Sequence, residues 1–154
     1  MKIYLAARYS RREELVGYRT QLEAMGHSVT SRWLNGAHQI SNEGQPIGDD
    51  GEALVESGQC IRAAALRQEF AIEDVADVMA ADLVVSFTEP PRSNASRGGR
   101  HVEFGIALAQ RSALAVIGYR ENLFHWLPNV GFFETWEIFL TKAGAVNFNM
   151  GKIS

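Results

Sequence analysis

Two short runs in the second half of the chain, DLVVSF (82–87) and ALAVIG (113–118), show no alternation of polar and apolar residues. A strand with one wet face would alternate with period two, so strands of this kind must be covered on both faces. Helical patterns precede each of them, at about Cys60 to Ala81 and in HVEFGIALAQR (101–111). Apolar strands alternating with helices close as a parallel sheet with helices on both faces.

The rest of the chain extends this order. KIYLAA (2–7) reads as a first strand. Ser10 and Glu13 form a capping box for a first helix, in which Leu15, Tyr18, Leu22 and Met25 recur at helical spacing and Gly26 is the stop. HSVTSRW (27–33) reads as a second strand. The segment 34–59 is polar and glycine-rich, the composition of a lid-like functional insert. In the helix that follows, Ala71, Ile72, Val75, Val78 and Met79 form one apolar stripe expected to be buried. Asp74 borders that stripe, and Glu73 and Asp77 point to the solvated side. A short strand near 130–133 precedes a last helix from about Thr135. The expected fold is a single α/β domain over 1–154, a doubly wound parallel sheet of about five strands. In such sheets ligands bind beyond the carboxyl ends of the strands.

Composition narrows the function. The chain is 46% hydrophobic and 21% charged, with a formal net charge of −3, so no basic field invites a nucleic acid polymer or a membrane surface. One cysteine, Cys60, permits no internal disulfide and fits a reducing cytoplasm. The apolar run at the start is too short for a signal-peptide core, and no run is long enough for a membrane span. The turn after the first strand, AARYSRR, lacks the dinucleotide-binding glycines, which argues against a dehydrogenase. No phosphate-loop pattern occurs, and no His/Cys group has metal-ligand spacing. Neither a cofactor nor a metal is expected.

What is left is carboxylate chemistry beside a loop suited to anions. In ASRGGRHVEFG (95–105), Gly98 and Gly99 let the backbone approach a ligand, and Ser96, Arg97 and Arg100 add a hydroxyl and two charges at a helix start. Glu103 is either a surface residue complementing the helix dipole or a carboxylate kept ionised as a nucleophile. Asp74 is either a surface aspartate or its partner. Tyr4 is core filler unless its phenol meets a polar group. His38, His101 and His125 read as isolated loop or surface residues. Trp33, Phe124 and Trp126 are candidates for stacking on a planar base or for packing.

Three segments in order resemble the nucleoside 2-deoxyribosyltransferase family, which includes the 2-deoxynucleoside 5-monophosphate N-hydrolases: IYLAA, EDVADVMAADLVV and GGRHVEFGIALA. The resemblance spans roughly residues 2 to 118. It implies a flavodoxin-like sheet and nucleophilic substitution at the anomeric carbon. Glu103 would attack, Asp74 (eight residues before Asp82) would assist the leaving base, and Tyr4 would hold Glu103. That is the two-carboxylate logic of retaining glycoside cleavage. Transferases usually carry an aspartate six residues before the nucleophile, where this chain has Arg97. With Arg8, Gly99 and Arg100, that arginine suits a 5-phosphate. The resemblance therefore implies a small-molecule nucleotide substrate and N-hydrolase activity, with base-exchanging transfer as the alternative. A non-catalytic nucleotide sensor is the reading from another class. It also implies a homo-oligomer, for which NVGFFETWEIFL (129–140) offers either a surface or ordinary core.

Overall fold

The computed structural model describes residues 1–36, 61–90 and 98–145. Five parallel strands form one sheet in the order β2-β1-β3-β4-β5: β1 (Lys2–Ala6), β2 (Ser28–Val29), β3 (Leu83–Phe87), β4 (Ala113–Ile117) and β5 (Val130–Phe133). The four helices described are α1 (Arg12–Ala24), α2 (Ile61–Met79), α3 (Gly99–Gln110) and α4 (Trp136–Ala145). This is the expected doubly wound α/β sheet of the flavodoxin-like type. All of β3 and all but the first residue of β4 are buried, as their unbroken apolar runs require.

The helices divide between the faces. On one face, α1 and α4 meet through Tyr18 and Trp136, stacked at 4.3 Å between centroids, with Phe87 of β3 beneath at 5.5 Å from Tyr18. On the other face α2 packs beside α3. Parallel pairing keeps residues in register on the same side, so Tyr4 opposite Val84 and Ala6 opposite Ser86 share one face. Tyr4 reaches α3, so that face belongs to α2 and α3.

Several local expectations are corrected. The second strand is two residues long, not seven, because side chains take over the edge of β1. Ser31 Oγ accepts from the Leu5 amide at 2.7 Å, and the Trp33 indole N–H donates to the Leu5 carbonyl at 2.9 Å. The capping box does not form. Tyr9–Arg11 make a 3-10 turn, Arg11 is the N-cap without a side-chain bond, and Arg11 pairs instead with Glu14. Gly26 does end α1, at φ +84°.

The stripe on α2 is turned around. Ile72, Val75 and Met79 are exposed, at 62%, 41% and 58%, and Ala71 is exposed too, whereas Val78 is buried. Asp77, expected in solvent, is buried. It accepts from the Arg32 backbone at 2.9 Å and from Arg32 Nε at 2.8 Å, tying α2 to the segment after β2. A helical wheel reveals two stripes; only the neighbours decide which one faces inward. In the 129–140 segment Val130, Phe133, Trp136 and Phe139 turn into the core, while Glu134, Thr135, Glu137 and Ile138 are exposed.

Candidate active site

Glu103, Tyr4 and Asp74 come from three elements and share one electrostatic neighbourhood. The Tyr4 hydroxyl donates to Glu103 Oε1 at 2.8 Å. Tyr4 is fully buried in the inner strand β1, so its ring is fixed by packing and its hydroxyl donates to Glu103. Glu103 is half-buried as a residue, but its Oε2 is shut off from solvent and has no hydrogen-bond partner among the described residues. Asp74 raises the proton affinity of both Glu103 and Tyr4, which places its charge within reach of each. Asp74 Oδ1 is itself shut off from solvent, so the helix leading into β3 presents this carboxylate inward.

Burial, more than any other effect, pushes the Glu103 carboxyl up to about 8. The Tyr4 hydrogen bond pulls it down, Asp74 pushes it up, and Arg100 pulls it down. This corrects the expectation that the helix dipole and arginines keep Glu103 ionised. Gly98 is the N-cap of α3, so Glu103 lies beyond the first turn, where the dipole fades. At neutral pH Glu103 is therefore held mainly in its protonated form. Burial, with the Glu103, Asp74 and Asp77 carboxylates and the hydrogen bond acting the same way, holds the Tyr4 phenol far above its ordinary value, so it stays a donor.

The anion loop divides as well. Ser96 and Arg97 lie outside the described residues. Gly98 adopts φ +81°, a left-handed turn that L side chains disfavour, and Gly99 opens α3. Arg8 is half-buried in the turn after β1. Arg100, expected to bind phosphate, is buried and forms an ion pair with Glu121, its Nε donating to Oε2 at 3.2 Å. Glu121 also accepts from the Glu89 amide at 3.0 Å, so the pair clamps the β3–α3 and β4–β5 connections together. Glu121 is a site residue that the sequence did not single out; its place three residues beyond Gly118, the turn glycine of a buried strand, was the signal available. Removing it takes this carboxylate away from a buried guanidinium. Glu121→Ala is expected to cost about 3–5 kcal/mol in urea unfolding, and Arg100→Met with Glu121→Leu to recover most of that.

The other candidates settle as follows. Trp33 is 5% exposed, with its indole N–H on Leu5 and its ring tilted against Tyr9, so it is packed rather than offered to a base. His125 is fully buried, and the Asn122 side-chain amide lies 3.1 Å from its Nε2 and 3.4 Å from His101 Nδ1, so neither histidine is isolated. Phe124 and Trp126 are exposed, and Arg120 lies 4.2 Å over the Trp126 ring. Asp82 accepts from the Lys2 amide at the amino end of the sheet. His38 and Cys60 lie outside the described residues. Among the described residues no group of three metal-binding side chains occurs, and no helix is long and apolar enough to cross a membrane.

No protein-family profile and no curated protein sequence matches the chain. Among solved structures, the chain is similar to the Clostridium botulinum CMP N-glycosidase BcmB, at 18% identity and a TM-score of 0.53, over 95% of this chain and 100% of that one.

Proposed function

We propose that this chain is a nucleotide N-glycosidase that cleaves the base from a (deoxy)nucleoside 5-monophosphate through a glycosyl-Glu103 ester. The observation that carries this reading is the Tyr4 hydroxyl held 2.8 Å from an enclosed Glu103, with the charge of Asp74 felt by both. A sensor has no use for a carboxyl raised by burial and aimed by a phenol; a nucleophile that must shed its water and keep one rotamer does. A solved structure sharing the fold is described as a CMP N-glycosidase.

In this reading the ionised Glu103 attacks the anomeric carbon. The bond to the base breaks with its electron pair moving to the base nitrogen, which gains a proton with the help of Asp74. Water then attacks the same carbon, its proton leaves to a carboxylate, and Glu103 is released. Retention follows from the two displacements. The 5-phosphate sits at the amino end of α3, over the Gly98–Gly99 backbone, with Ser96, Arg97 and Arg8 supplying the remaining contacts. Arg100 acts from behind, through its field on Glu103 and its clamp on Glu121.

The test is incubation with a panel of ribo- and deoxynucleoside 5-monophosphates and nucleosides, with and without an acceptor base. Free base and sugar phosphate are the expected products. Exchange that requires the acceptor base would make the enzyme a transferase, and saturable binding without base release would make it a sensor.

We further infer a homo-oligomer, with a second copy over the exposed apolar residues Ile72, Val75 and Met79 of α2 and Val102 of α3. Ile72→Glu with Val102→Glu is expected to weaken self-association at least about tenfold by light scattering on a sizing column.

A further inference from the structure

Four side chains with hydroxyls are buried among the described residues: Tyr4, Ser31, Ser86 and Thr88. Three of them are matched. Tyr4 donates to Glu103, Ser31 accepts from the Leu5 amide, and Thr88 donates to the Ile117 carbonyl while accepting from the Tyr119 amide. Ser86 is the exception. It is 0% exposed, and its Oγ has no partner among the described residues. A buried hydroxyl left unmatched is costly, and natural structures rarely tolerate one without a use.

Its position indicates the use. Ser86 stands opposite Ala6 in the β1–β3 register, two residues beyond the Tyr4–Val84 pair. It therefore shares the sheet face of the Tyr4 ring, on the adjacent strand and one pleat nearer the carboxyl ends, the direction in which ligands of such sheets lie. Its register partners on that face, Ala6 and Val116, carry no polar group that would answer it. On the same side, Glu103 Oε2 is a further enclosed oxygen without a hydrogen-bond partner among the described residues. A serine hydroxyl both donates and accepts, and so does each hydroxyl of a sugar ring.

We propose that Ser86 is a substrate-binding residue whose hydroxyl bonds a ring hydroxyl of the sugar, so that it sets which sugar is accepted at the Glu103 site. This rests on the nucleotide reading above. An unmatched hydroxyl in the free protein becomes a matched one in the complex, and a substrate lacking its counterpart leaves it unmatched. Sites built this way reject the deficient analogue strongly.

The experiment compares wild type with Ser86→Ala and Ser86→Cys on cytosine and adenine 5-monophosphates in their ribo, 2-deoxy and 2,3-dideoxy forms. Expected is a loss of kcat/KM of about tenfold or more on the forms that carry the contacted hydroxyl, with the dideoxy form unaffected. The melting temperature of the free protein should hold or rise, since Ala removes an unmatched group; a structural hydroxyl would lower it. An equal loss on all three forms, no loss on any, or a markedly lower melting temperature overturns the proposal while leaving the glycosidase reading in place. If wild type releases base from none of the six, that reading fails, and calorimetric binding of the same six decides Ser86. A loss of affinity confined to hydroxyl-bearing forms upholds it. Indifference to the sugar, or no binding at all, removes it.

Discussion

Glu103→Gln is expected to lower base release at least about a thousandfold while leaving nucleotide binding and the fold intact. The amide keeps the size of the carboxyl and an oxygen to accept from the Tyr4 hydroxyl, now 2.8 Å away, but it cannot form the ester. Single-turnover assays on the best substrate of the panel measure the loss, and titration calorimetry checks that binding survives. The wild-type pH profile should carry the same signature. Because burial holds the Glu103 carboxyl at about 8, kcat/KM should climb through neutral pH and level off above that value. Tyr4→Phe removes the hydrogen bond that pulls Glu103 down, so its profile should move to higher pH. Turnover by Glu103→Gln within tenfold of wild type would end the covalent mechanism.

Stability should also depend on Glu103, in the opposite sense to activity. A carboxyl that ionises near 4.5 in the unfolded chain and at about 8 in the folded one binds more proton when folded at every pH between. Its stabilising contribution is complete below 4.5 and is lost as pH rises through about 8. The expected loss across that window is about 3–5 kcal/mol, read from urea unfolding at pH 5 and pH 8.5. Glu103→Gln has nothing to titrate there and should show a flatter profile. A wild-type slope matching that of the variant would mean that Glu103 is solvated and the enclosed site does not exist. The pairing of the two results is informative: the protein gives up stability in the pH range where its nucleophile becomes competent, a common feature of sites that bury charge for chemistry.

The residues legible in the sequence were those whose role follows from periodicity or from position along a parallel sheet. The runs LVVSF and ALAVI could only be covered strands, and GGRHVEFG could only be a glycine-led helix beyond a carboxyl end. Tyr4 and Glu103 were paired by resemblance, and the structure brings them within hydrogen-bonding distance. Three features were not legible. Trp33 and Ser31 end the second strand by bonding across to Leu5, a contact over more than 25 residues that no local pattern encodes. Arg100 looked like a free cation until Glu121, 21 residues on, was seen beside it. Ser86 is one polar letter in an apolar strand, and only the fold shows that no described residue matches its hydroxyl.

Order of elements, parallel pairing and the end of the sheet that carries the chemistry are properties of the sequence itself, because period and strand length are local consequences of side-chain size and backbone geometry. Which stripe of α2 turns inward, whether Glu103 holds its proton, and which arginine is spent on an internal partner belong to the tertiary structure. Those depend on burial and on charges brought close from distant points of the chain, and both exist only once the helices have settled on the sheet.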